Sequence, residues 1–207
     1  MIHEARCCSG AAGPCILHAM SPETARSLMH EWVENPALRQ HMECVAACMG
    51  AFCDGDEAER DRWTVAGLLH DFDYEKHPSQ EEHPFVGVAH LQEHTDVDKG
   101  IIEAILGHAP YSGVPRETAM ARTLFAVDEL AGFIVACALV RPTGLEGMAA
   151  KSVRKKLKNK AFAAAVSRED IQLGVEELGA ELGPHIDRCI AAIACDGLEF
   201  SSPPRPQ

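Results

Sequence analysis

Apolar positions along this chain recur at helical spacing in successive blocks, and the breaks between blocks carry turn or cap chemistry. The first block opens at Ser21-Pro22-Glu23, with a hydroxyl cap, a proline at the first helical position and an acid near the positive helix end. It predicts a helix to about Val33, ended by Asn35-Pro36. Pro36 begins a second helix with Leu38, His41, Met42, Val45 and Met49 on related faces, and Asp56 caps a third through Trp63, Ala66, Leu69 and His70. Asp71 to Gln80 is polar and reads as a loop, after which helical spacing resumes at Pro84 and runs to Leu91. Asp96 or Asp98 caps the next helix, with Ile101, Ile102, Ile105 and Leu106 facing inward. A turn-rich stretch, Pro110 to Pro115, precedes the longest predicted helix, Glu117 to Leu139, with Asp128 in its middle. Ser167 caps a helix through Leu182, and Pro184 opens a last one to about Cys195. No run alternates with the period of a strand and no internal repeat is present, so the prediction is all-α.

Composition narrows the class. At 207 residues, 46% hydrophobic and 24% charged, the chain suits one ordinary globular domain. The expected organisation is a poorly ordered segment over 1–20, a helical domain over 21–200 and a disordered tail over 201–207. A net charge of −12 argues against generic nucleic-acid binding, which needs clustered cations. It leaves a small phosphorylated substrate open, because a bound metal can reverse the local potential. Nine scattered cysteines do not form a disulfide framework. Cys44, Cys48, Cys137 and Cys189 fall on apolar stripes and read as buried thiols of a cytoplasmic protein. Cys7, Cys8 and Cys15 lack the paired spacing of a zinc site. No apolar run approaches a membrane span, and Met1 to Arg6 lacks a signal-peptide apolar region. One run, Lys151 to Lys160, concentrates positive charge, either as a solvated helix face or as an attractor for an anion.

The candidate chemistry centres on His70-Asp71, which ends the apolar run Trp63 to Leu69. An imidazole beside a carboxylate makes two metal ligands or one acid/base pair, and neither is cheap to bury unpartnered. His41 upstream and His83, His108 and Asp128 downstream are the candidate partners, and the ordered set points to a metal-dependent hydrolase. Asp73, Glu75 and Lys76 lie on the loop just past the pair, where one can serve as general acid or hold a phosphate. His90 reads as surface or core. Arg116 and Arg122 read equally as phosphate contacts or as salt-bridging residues.

The order His, His-Asp, Asp on successive helices resembles the HD-domain superfamily of metal-dependent phosphohydrolases. The likeness covers about Pro36 to Leu139 and is strongest at Leu68-Leu69-His70-Asp71 and Phe125-Ala126-Val127-Asp128-Glu129-Leu130. It implies an HD-type helical bundle, core about 36–140, with further C-terminal helices over about 150–198. It also implies that His41, His70, Asp71 and Asp128 ligate one divalent ion. His83-Pro84-Phe85-Val86-Gly87 and Ile105-Leu106-Gly107-His108 look like the second-metal ligands of binuclear members, with Asp71 bridging. Imidazole and carboxylate donors suit iron, manganese, zinc, nickel or cobalt, as one ion or two. The basic run combined with this core resembles a bacterial group of uncharacterised HD-domain proteins of the HDIG type. The cyclic-di-GMP enzymes differ: Phe72-Asp73-Tyr74 follows the His-Asp pair where they carry glycine-lysine, and Gly107 to Pro115 only distantly echoes their second motif.

The expected activity is hydrolysis of a small phosphate ester, with a nucleotide as one candidate, by a metal-activated hydroxide, as a phosphomonoesterase or phosphodiesterase. The alternatives are an HD-type di-iron oxygenase and a non-catalytic, ligand-binding regulatory module. The expected partner is a small phosphorylated substrate, with no membrane, and the organisation leaves room for a homodimer.

Overall fold

Six of the helices start at a side-chain cap. In the structure, a computed structural model that describes residues 20–197, Ser21 accepts from the Thr24 N–H and opens α1 (Pro22–Trp32). Asn35 accepts from Ala37 and Leu38 for α2 (Pro36–Phe52), and Asp56 from Glu59 for α3 (Glu57–Leu69). Then come α4 (Phe85–His94) and α5 (Lys99–His108), the latter capped by Asp98 rather than Asp96. After a single 3-10 turn, Pro110–Ser112, Thr118 caps α6 (Ala119–Leu139). The last three are α7 (Ala150–Leu157), α8 (Arg168–Glu177) and α9 (Leu182–Cys195). Each such cap satisfies backbone donors that the helix itself leaves open, worth about 1 kcal/mol. No strand occurs among the described residues, and the all-α expectation is borne out. No helix there is long and apolar enough to cross a membrane. Expectations placed on residues 1–19, Cys7, Cys8 and Cys15 included, and on 198–207 lie outside the described residues.

Two neighbouring boundaries differ. The helix expected from Ser167 to Leu182 ends at Glu177, because Gly179 takes a positive φ of 62° and breaks the ladder. The next helix then starts at Leu182, two residues before Pro184, which sits in the first turn where no amide donor is needed.

Helix α6 lies at the centre, packed by α2, α5 and α8, while α2 also packs against α3 and α9. Its Leu130, Phe133 and Ile134 are fully buried, and side chains of this kind each contribute roughly 1.5–3 kcal/mol. The α2–α3 pair has its register set by a close approach. A Cβ on Gly67 would stand 2.6 Å from the Ala46 Cα, so only glycine lets these backbones touch. That contact brings His41 of α2 opposite His70 at the end of α3. Cys44, Cys48, Cys137 and Cys189 are buried free thiols.

Candidate metal centre

His70 caps the C-terminus of α3 and His108 is the last residue of α5. Both use the same local device. His70 Nδ1–H donates to the Gly67 carbonyl at 2.8 Å, and His108 Nδ1–H donates to the Ile105 carbonyl, three residues back in each case. Terminal helix carbonyls lack intrahelical partners, so the bonds satisfy them and also fix the tautomer that leaves Nε2 as an acceptor. Two helix C-termini, each the negative end of a macrodipole, therefore converge on one place. His41 arrives from α2, and Asp128 from the middle of α6.

Asp71 divides this assembly into two clusters. On one side His41 Nε2 lies 3.0 Å from Asp128 Oδ1 and 3.2 Å from His70 Nε2. His70 Nε2 is 3.4 Å from Asp128 Oδ1 and 3.5 Å from Asp71 Oδ2, and His41 Nε2 is 3.8 Å from the same Asp71 oxygen. On the other side His83 Nε2 and His108 Nε2 are 3.2 Å apart, and each is 3.3 Å from Asp71 Oδ1. One carboxylate thus presents a different oxygen to each histidine pair.

The donor set fits divalent ions. With both Nδ1 atoms bonded elsewhere, His83 and His108 turn their Nε2 atoms, together with a carboxylate oxygen of Asp71, toward one point. Two ligands about 2.1 Å from a shared ion stand about 3.0–3.4 Å apart at octahedral to tetrahedral angles, close to the spacings seen. Both groups, His41-His70-Asp71 and Asp71-His83-His108, have ligand atoms within 4.8 Å of one another.

Asp73 holds the second cluster from behind. It is 1% exposed, accepts from His83 Nδ1–H at 2.7 Å through Oδ1, and accepts from the Gly87 N–H at 2.7 Å through Oδ2. The second bond caps α4, which has no side-chain cap of its own from Pro84. A Cβ on Gly87 would meet Phe72 at 2.7 Å and the Asp73 carboxylate at 2.9 Å, so glycine is required for this approach. A carboxylate on the far nitrogen of a ligating histidine orients the ring and raises its basicity.

The charges reinforce one another. Burial alone would lower the His70 pKa, but Asp71 and Asp128 override it and hold the imidazole at about 9. Burial would raise Asp71, and His70 and His108 instead pull it well below the carboxylate range. Asp128 is likewise held far down by His70 and His41 against its burial. In the absence of an ion, a proton on His70 supplies the positive charge that the acceptors demand. Glu129, next to Asp128, goes the other way: burial and the Asp128 charge push it up to about 7, although it accepts the Ser167 N–H.

Residues 38–132 match the family model described as the HD domain, a span that contains all six clustered residues. The chain contains an HD domain over residues 38–132. No curated protein and no solved structure matches it. The HD domain spans α2 to most of α6, leaving α1 and α7 to α9 outside the match.

Within the HD domain the structure brings together His41, His70, Asp71, His83, His108 and Asp128. It does not bring the loop candidates to the same place. Asp73 is turned behind His83, as described. Glu75 accepts from the Glu34 and Asn35 amides at 3.0 and 2.9 Å, and Lys76 Nζ stands 5.0 Å over the Trp32 ring. Their side chains are engaged in holding the loop to the end of α1. Arg116 pairs with both oxygens of Glu177 and donates to the Gly107 carbonyl, while Arg122 donates to the carbonyls of Glu117 and Thr118. His90 packs on Trp32.

Sequence reasoning passed over two neighbours of the centre. Tyr74 packs edge-on against His83, with ring centroids 5.1 Å apart. The Tyr111 phenol lies in the field of Asp71, Asp73, Asp128 and Tyr74; burial first and those charges next push it up to about 12. Both are over 40% exposed. They are the chain's only tyrosines and each falls three residues after a ligand-type residue, a signal visible in the sequence.

Proposed function

We propose that this HD domain is a metal-dependent phosphohydrolase with a two-ion centre, acting on a small phosphate ester. The observation that carries the proposal is Asp71, whose two oxygens each face a separate histidine pair. His41, His70 and Asp128 would hold one ion, His83 and His108 the other, and Asp71 both. Divalent ions bound there supply an acidified water and polarise a phosphoryl oxygen. The rest is work for the chain itself. Asp73 keeps His83 Nδ1 protonated so that Nε2 stays an acceptor. His41, Asp71 and Asp128 are the more open members, with side chains 21%, 16% and 17% exposed, so substrate approaches over that edge. Tyr111 keeps its proton at neutral pH and is the O–H donor we assign to the phosphate or the leaving oxygen.

Elemental analysis of the purified protein, joined to activity on a panel of phosphate mono- and diesters, tests this reading. Two ions per chain and an ester cleaved only by the metal-loaded form are expected, with both lost in Asp71→Ala. Two ions without cleavage of any ester would overturn it. The di-iron oxygenase reading rests on the same pair of clusters, and substrate-dependent oxygen uptake by the iron-loaded protein would favour it instead.

A further inference from the structure

A cavity of about 710 Å³ opens between α7 and α8 beside the start of α9, outside the matched HD domain, and no residue of the metal centre lines it. Its size is that of a small-molecule site. Lys151, Arg154 and Lys155 of α7 and its C-cap Lys158 border it at i, i+3, i+4 and i+7, one continuous stripe about 10 Å long. Among the described residues none of the four has an ion-pair partner, although the chain carries a net charge of −12. Helix stability does not account for the stripe. Arg154 and Lys155 suit the negative end of α7, but Lys151 sits in the first turn, where a cation opposes the helix dipole.

Leu157 of α7, Ile171 of α8 and Leu182 of α9 give the cavity its apolar surface, with Gln172 the polar residue on the α8 side. Arg168 closes one end. Its terminal nitrogens are spent on carbonyls of the 159–166 turn, and its buried Nε has no hydrogen-bond partner. A row of unpaired cations lining one cavity with these apolar side chains fits a ligand that is anionic along one edge and flat and apolar at the other. One phosphate is too short for the stripe, whereas a di- or triphosphate chain reaches several of its members.

We propose that this cavity is a second binding site, for a nucleoside di- or triphosphate, with the polyphosphate along α7 and the ring against Leu157, Ile171 and Leu182. The site is independent of the chemistry assigned to the metal centre. The test is calorimetric titration of the full metal-loaded chain with the nonhydrolysable α,β-methylene analogue of ADP. Three exposed substitutions made together, Lys151→Ala, Arg154→Ala and Lys155→Ala, are expected to weaken binding at least about tenfold with an unchanged circular dichroism spectrum. The His70→Ala, Asp71→Ala double variant is expected to bind within about twofold of the parent chain. Inorganic pyrophosphate, which lacks the ring, is expected to bind about tenfold more weakly than the analogue. The proposal is overturned if the α7 substitutions leave affinity unchanged, or if the double variant loses it, which would place the nucleotide on the metal centre. Pyrophosphate binding as tightly as the analogue, or displacement of the analogue by a polyglutamate peptide or an anionic vesicle at lower concentration, overturns it equally.

Discussion

Replacing Asp73 by asparagine removes one charge and changes almost no volume, so it isolates what that carboxylate does for the proposed second ion position. The two bonds it accepts, from His83 Nδ1–H and the Gly87 N–H, are both 2.7 Å long and buried. Asparagine offers one acceptor and one amide donor in their place. If its oxygen faces His83, its NH₂ meets the Gly87 N–H, and a buried donor goes unpaired at about 1–3 kcal/mol. If the amide is flipped, Nδ1 must accept, and the His83 proton moves to Nε2. That proton then points at His108 Nε2 and Asp71 Oδ1, satisfying the empty cluster and blocking the ion. Either outcome penalises the ion-bound state. Outer carboxylates of this kind are worth about 10–100-fold in metal affinity, or about 1.4–2.8 kcal/mol. Equilibrium dialysis against buffered manganese or zinc, followed by elemental analysis, measures it. At intermediate free metal, Asp73→Asn should carry about one ion per chain where the parent carries two. Two ions of unchanged affinity in the variant would refute the role given to Asp73.

Three further outcomes follow from the same geometry. Gly87→Ala places a Cβ against Phe72 and the Asp73 carboxylate, so it should lower the melting temperature by an amount equivalent to about 1–3 kcal/mol and weaken the second ion together with it, read by calorimetry and metal analysis. In the metal-free protein His70 is held at about 9 against an ordinary 6.5, so its stabilisation is complete below 6.5 and fades as pH rises through 9. Asp71 and Asp128, held low, stabilise above the ordinary carboxylate value near 3.8 and lose that contribution as pH falls. Metal-free melting temperature should therefore decline from pH 6.5 to 9, and ion binding near neutrality should release about one proton, measurable by titration in buffers of different ionisation enthalpy. Glu129, raised to about 7 from 4.5, favours its neutral form on folding, so its penalty grows as pH climbs above 4.5. Glu129→Gln should raise the melting temperature at pH 8 and leave it nearly unchanged at pH 5; an equal shift at both would exclude the charge explanation.

Much of the fold was legible because its signals are local. Ser21, Asn35, Asp56 and Ser167 each bond an amide two or three residues ahead, and apolar spacing marks the faces that meet the core. The end of α8 was misplaced because Gly179 competes with an apolar pattern that continues past it. The ligand-type residues were legible as well, since imidazole and carboxylate beside leucines demand a partner. The loop was harder. Asp73, Glu75 and Lys76 look alike in sequence, and only their neighbours distinguish a carboxylate behind His83 from one that caps the Glu34 and Asn35 amides.

The sequence by itself determined an all-helical chain and which imidazoles and carboxylates are candidate donors, because caps, periodicity and side-chain chemistry act over a few positions. Tertiary structure decided how those donors divide. The Gly67 approach sets His41 against His70, the ends of α3 and α5 converge, and Asp71 comes to face both histidine pairs. Those relations join residues up to 87 positions apart, as His41 and Asp128 are, and no local rule reaches that far.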